Sequence, residues 1–267
     1  MTNAVPVPAS ATKAEIIAGF EECWASMTAL CRTLTEHEWT TESICPGWQT
    51  KHVLLHRTAG EIGFSRWDRS GPLSDELGGY YESLRESTGA EILAEFERII
   101  AVRRTQLTGM DETDFDAQCW TPAGPSTYRR YMEITLFDHW AHEQDIRVPL
   151  AKPGNLSGLG AEFSLNEAHI ALGYLIGKRA NAPQGARVTI HVTSPTTRDL
   201  HVVVDGRAQV VAKLNDPTVE LTTDFATFML LCCGRIDPAG PLDDERVTLS
   251  GDTALGEAVA TNLAFTI

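Results

Sequence analysis

The chain has 267 residues and sets 22 Lys and Arg against 36 Asp and Glu, a net charge of −14. Its apolar fraction of 43% and charged fraction of 22% are those of a globular protein and exclude disordered and fibrous classes. A negative field of this size repels phosphate backbones and anionic lipid heads, so neither nucleic acid nor a membrane surface is expected as a partner.

The first half reads as helices. From Thr12 onward, Ile16, Ile17, Phe20, Cys23, Trp24, Met27, Leu30, Cys31 and Leu34 recur at three- and four-residue spacing, and Thr12 with Glu15 fits a capping box. Cys45-Pro46-Gly47-Trp48 breaks the chain before a second helix from about Gln49 to Asp68. Ser70 to Gly79 reads as a loop. A third helix from about Thr88 carries Ile92, Leu93, Phe96, Ile99, Ile100 and Leu107 on one face and ends at Gly109. Thr121 to Ser126 reads as another loop, leading to a fourth helix from about Thr127 to Val148. Four such helices make an antiparallel bundle the expected architecture.

After Pro149, Pro153 and Gly154 the pattern changes. A helix around Leu159 to Arg179 precedes β-branched runs at Arg187–Thr193, Leu200–Val204, Gln209–Ala212 and Thr218–Thr222, with Asp205-Gly206 as a hairpin turn. A helix from Asp224 to Cys233, a strand from Arg246 to Ser250 and a last helix complete a small α+β domain. The boundary falls near Lys152 to Ser157, giving domains over 10–152 and 157–267.

The six cysteines, Cys23, Cys31, Cys45, Cys119, Cys232 and Cys233, form no CxxC and no regular framework. They read as small apolar residues of a reducing compartment. Met1 to Ser10 has no basic and apolar leader, and no apolar run reaches the roughly 18–20 residues of a membrane span. A cytoplasmic location is therefore expected.

The fourth helix carries the chemistry. Tyr131, Thr135, Asp138, His142 and Asp145 form one stripe, polar and ionisable where a bundle core should be apolar. Asp138 and His142 stand one turn apart, the spacing that aims two side chains at one metal. The same spacing also makes ordinary surface salt bridges, and His139 with Glu143 reads as one. The second helix offers His52 and His56 as a third ligand, and its apolar surface flanks His56 more closely. Two His and one carboxylate suit a catalytic zinc with an open fourth position.

The stretch Pro46 to His56 (PGWQTKHVLLH) resembles the second-helix signature of DinB-like bundles, in which the last His binds metal. Asp138 to Arg147 (DHWAHEQDIR) resembles the fourth-helix signature of the mycothiol-dependent maleylpyruvate isomerase family. Thr223 to Pro238 (TDFATFMLLCCGRIDP) and Val247 to Gly256 resemble the sterol-carrier-like domain that closes the same family. The resemblance implies an antiparallel DinB-like four-helix bundle followed by a sterol-carrier-like α+β domain. It also implies Zn²⁺, or another divalent metal, on His56, Asp138 and His142, and Arg235 as a catalytic residue of the second domain. In one place the chain departs from the pattern: the isomerase itself is expected to carry Glu where this chain has Asp138.

By the same resemblance, mycothiol is the cosubstrate thiol, because none of the six cysteines lies in either ligand segment. A thiolate held there could add to an activated alkene and leave again, a cis–trans isomerisation, or displace a leaving group as an S-transferase. Arg235 would hold a carboxylate of the small-molecule substrate. Two other outcomes fit the same residues. One is a small-molecule-binding protein without chemistry; the other is a zinc hydrolase, for which Asp145 is the only evident general base.

Overall fold

A computed structural model describes residues 10–69, 71–73 and 76–266, with the side chains of 76–78 outside that description. The chain divides into two compact units, Ser10–Asn155 and Leu156 to the C-terminus.

The first unit opens with α1 (Lys13–Cys31), capped as expected: Thr12 Oγ1 accepts the Glu15 N–H at 3.2 Å, and the Glu15 carboxylate accepts the Thr12 N–H at 2.7 Å. The same reciprocal device starts α2 (Glu36–Thr40), from Thr35 and Glu38. Then come α3 (Thr50–Arg66) and α4 (Glu76–Leu84). Thr88 and Glu91 cap α5 (Gly89–Gly109), which a short α6 (Glu112–Asp116) follows. A hairpin of β1 (Gln118–Thr121) and β2 (Gly124–Thr127) leads into α7 (Tyr128–Arg147). The four longest helices close a ring of contacts: α1 on α5, α5 on α3, α3 on α7 and α7 back on α1.

Three expectations change here. The segment read as a loop over Thr121–Ser126 is mostly the hairpin, closed where Thr121 Oγ1 donates to the Gly124 carbonyl at 2.7 Å. Its strands have four residues each, and in β1 the adjacent Cys119, buried, and Trp120, exposed, hide the alternation from the sequence. The loop expected over Ser70–Gly79 ends early, because α4 starts at Glu76; Ser70, Ser74 and Asp75 lie outside the described residues. On α7 the deepest stripe is Met132, Leu136, His139, Glu143 and Ile146, all at most 2% exposed. That stripe lies one residue beyond the expected one at each of its five positions. Thr135 and Asp145 of the expected stripe are also buried, whereas Tyr131, Asp138 and His142 sit at its edge, partly open.

The second unit begins with α8 (Leu159–Tyr174), which continues through a π-helical turn over Leu175–Arg179. Its sheet comprises β3 (Arg187–Thr193), β4 (Arg198–Asp205), β5 (Arg207–Val211) and β6 (Val219–Asp224), with β7 (Val247–Gly251) completing it. The order is β5-β4-β3-β6-β7, antiparallel except for the β3/β6 pair. Asp205-Gly206 makes the expected turn, with Gly206 at φ +69°. Alternation buries Val188, Ile190 and Val192 beside Leu200, Val202, Val219 and Leu221. Over these strands pack α8, α9 (Phe225–Cys232) and α11 (Thr253–Thr261), the last of them after a short α10 (Ala239–Asp243). Gly177 is required where α8 meets β5, because a Cβ there would stand 2.7 Å from that of Ala208. Among the described residues no helix is long and apolar enough to cross a membrane.

Candidate metal centre

Facing segments of α3 and α7 bring His56, Asp138 and His142 together, with one donor atom of each within 4.8 Å of the others. The two candidate histidines of α3 separate by role. His52 Nδ1 accepts the Gln49 N–H at 3.1 Å and so completes the helix N-terminus. His56, one turn further on, lies against the ring of His142 (centroids 4.8 Å) and against Trp48 (5.2 Å). On α7 the one-turn spacing sets His142 Nε2 3.4 Å from Asp138 Oδ1.

His142 is oriented from behind. Asp145, fully buried, places Oδ2 2.9 Å from His142 Nδ1. An ionised carboxylate only accepts, so Nδ1 carries a proton and Nε2 is the nitrogen that faces Asp138 and His56. The same Asp145 oxygen accepts the Cys45 S–H at 3.1 Å, and the Asp145 carbonyl accepts the Ile44 N–H at 3.2 Å. Loop 44–45 is thereby tied to the helix that carries two of the three donors. Cys45, His142 and Asp145 form a second donor group, sharing His142 with the first.

His56 is held neutral: burial first, then the nearby charge of Arg57 and the two other histidines, push it down to about 3, against the opposing pull of Asp145. Two imidazoles, one carboxylate and a carboxylate behind one imidazole are the donor set and support that a zinc ion takes. These residues therefore fit the metal. Arg57, the residue after His56, pairs through Nη1 with Asp138 Oδ2, and its side chain is only 3% exposed.

Deeper in the same unit lies a charged cluster. Glu61, wholly buried, accepts Arg103 Nε at 2.9 Å on Oε2, and Trp24 Nε1 at 3.3 Å and His139 Nε2 at 2.5 Å on Oε1. Arg103 also reaches the Tyr128 hydroxyl at 3.2 Å. Because Arg103 already neutralises Glu61, His139 stays neutral, driven down to about 4 by burial and by Arg57. This corrects the surface salt bridge expected between His139 and Glu143. Both are buried, and Glu143 pairs instead with Arg147 at 2.6 Å, Ser26 at 2.6 Å and Asn155 at 2.8 Å.

Two further residues join the site: Cys45, expected from sequence only as a small apolar residue, and Arg57. Cys45 lies outside the helices that carry the donors, and only the fold brings it to Asp145. Arg57 carries a sequence signal: it is a charged residue directly following a proposed ligand on a largely buried helix. Arg235 lies in the second unit just after Gly234, which turns the chain at φ +64°, and its Nη1 donates to the Cys233 carbonyl at 3.1 Å.

Comparison with known proteins bears on these residues as a set. Residues 20–147 match the mycothiol maleylpyruvate isomerase N-terminal domain, and residues 162–258 match the C-terminal domain of the same family. No curated protein matches. Among solved structures, a mycothiol-dependent maleylpyruvate isomerase aligns over 90% of this chain and 93% of its own, at 14% identity and a TM-score of 0.60. A histidine-to-alanine mutant of such an enzyme aligns over the same shares at 14% identity and 0.59. A sterol carrier protein 2 from Yarrowia lipolytica aligns over 38% of this chain and 92% of its own, at 9% identity and a TM-score of 0.29. The two domain matches cover most of the chain in the family's order, and the chain belongs to the mycothiol-dependent maleylpyruvate isomerase family of enzymes.

Proposed function

We propose that this protein is a zinc-dependent thiol enzyme that isomerises a small, carboxylate-bearing alkene of the maleylpyruvate class, with mycothiol as its thiol. In this reading residues 10–152 are an antiparallel DinB-like four-helix bundle and 157–267 a sterol-carrier-like α+β domain. The observation that carries the proposal is the convergence of His56, Asp138 and His142, with Asp145 fixing the His142 tautomer.

A free thiol titrates near ~8.5, and the thiolate is the nucleophile. Zinc on the three donors would supply the positive charge that favours the thiolate of a thiol brought to it. The chain's own residues do the rest. Burial keeps His56 a neutral donor, and Asp145 holds the His142 ring by Nδ1 so that Nε2 faces the site. Arg235 would hold a substrate carboxylate by charge-assisted hydrogen bonds. The sulfur adds to one alkene carbon, the resulting carbon–carbon single bond rotates, and the sulfur departs as the double bond re-forms. The thiol is thus regenerated. If the substrate instead carried a leaving group, the same arrangement would transfer the sulfur.

Hydrolysis is less well served. Its candidate base, Asp145, is buried and already accepts from both His142 and Cys45. The decisive experiment is metal analysis of protein purified without added zinc, beside Asp138→Ala, followed by an isomerase assay with and without mycothiol. Near-stoichiometric zinc lost in the variant, and turnover only with the thiol, is the expected result. Equal metal content in both proteins, or turnover without thiol, overturns the reading.

A further inference from the structure

Arg57 follows His56 on α3, and one residue turns the side chain about 100° around a helix, away from the direction His56 takes. It points inward, with 3% of its side chain exposed. A buried guanidinium is costly unless an anion meets it. The nearest acid on its own helix, Glu61, already serves Arg103, His139 and Trp24. The ion pair that Arg57 makes is with Asp138, through Nη1, while its Nε and Nη2 are buried without a hydrogen-bond partner.

Asp138 needs such a partner. Its side chain is 41% exposed, against 12% for that of His142. An aspartate at the solvent edge of a helix has rotamers that swing its carboxylate away from the site. Arg57 takes Oδ2 and leaves Oδ1 toward His142 Nε2. The two oxygens are divided between a buried cation on one side and the imidazole donors on the other.

We propose that Arg57 is the positioning residue of this centre: it anchors Asp138 by Oδ2 so that Oδ1 is presented, from one rotamer, as the carboxylate donor. The inference rests on the zinc reading given above and concerns a residue that reading does not use. Outer partners of metal ligands set affinity on the scale of 10–100-fold when removed, and Arg57 belongs on that scale.

The test compares the full chain with Arg57→Met, Arg57→Lys and His56→Ala, using zinc competition against a chromophoric chelator and the visible spectrum of the cobalt-substituted protein. Arg57→Met, of similar length and apolar, is expected to bind zinc roughly 10–100-fold more weakly and to change the cobalt bands. Arg57→Lys keeps the charge without the fork and is expected to recover part of the affinity. It also serves if the Met variant fails to fold, since a Lys variant that folds and binds as tightly as the wild type overturns the proposal. Unchanged or tighter binding by a folded Arg57→Met does so as well, because it makes Arg57 a bystander or a competitor for Asp138. Failure of the wild type to take up zinc sinks the reading of the centre and this inference together. Zinc bound by the wild type and lost in His56→Ala leaves that reading standing whatever Arg57 does.

Discussion

Asp145 and His142 are joined at 2.9 Å between a carboxylate with no exposure and Nδ1 of a ring whose other nitrogen faces the proposed metal ligands. Removing the negative charge while keeping the shape, Asp145→Asn, lets the amide donate to Nδ1 and favours the wrong tautomer. Zinc affinity is expected to fall roughly 10–100-fold with the fold intact. Chelator competition beside a far-ultraviolet dichroism spectrum checks this, and an Asn variant binding as tightly as the wild type would remove Asp145 from the centre.

Cys45 is the one cysteine of this chain at the site, its S–H donated to Asp145 at 3.1 Å. It is therefore the internal rival to an external thiol. Cys45→Ser preserves a donor to Asp145 and deletes the sulfur. We expect its mycothiol-dependent turnover to stay within about fivefold of the wild type, since one hydrogen bond to the Asp145 carboxylate is replaced by another that differs by about 1 kcal/mol or less. Loss of all turnover in the Ser variant would make Cys45 the nucleophile and displace mycothiol from the mechanism.

How far the site could be read without coordinates depended on what kind of contact made it. Asp138 with His142 is a one-turn relation on one helix, and helical spacing states it outright. The pairing of His56 with them needs α3 to face α7, which periodicity alone does not establish; the apolar flank of His56 and the family resemblance pointed there. The deepest stripe of α7 lies one residue beyond the stripe expected from sequence at every position, because it contains His139 and Glu143, which are buried against Glu61, Arg147 and Asn155. Polar residues that are buried with partners look like surface residues in a sequence. α1 shows the opposite case: Ile16, Phe20, Cys23, Trp24 and Met27 are all buried, and their apolar period was sufficient.

The cluster around Glu61 gives a stability prediction. Glu61→Ala removes the acceptor of three buried donors and leaves Arg103, at 2% exposure, without its counter-charge. Breaking such a pair from one side costs roughly 3–5 kcal/mol. For a chain of this size the melting temperature is expected to drop on the order of 10 °C. A thermal melt of the metal-free variant measures it, and a change of a degree or two would show that the cluster is not held as the distances indicate.

Acid should destabilise the metal-free protein through His139. Burial, reinforced by Arg57, brings its folded value from 6.5 down to about 4. Between those limits the unfolded chain binds a proton that the folded chain refuses. Stability from this group is therefore complete above about pH 6.5 and is lost as the pH falls toward about 4. At pH 5 the unfolded state has gained about 1.5 pH units of protonation, or about 2 kcal/mol. His56, driven down to about 3 chiefly by burial, acts in the same direction. Melts of chelator-treated protein at pH 7.5 and 5.0 are expected to differ by several degrees, the lower pH being the less stable, and His139→Gln should reduce that difference. If the wild type melts at one temperature across this range, His139 is charged in the fold, and the neutral pairing with Glu61 is wrong.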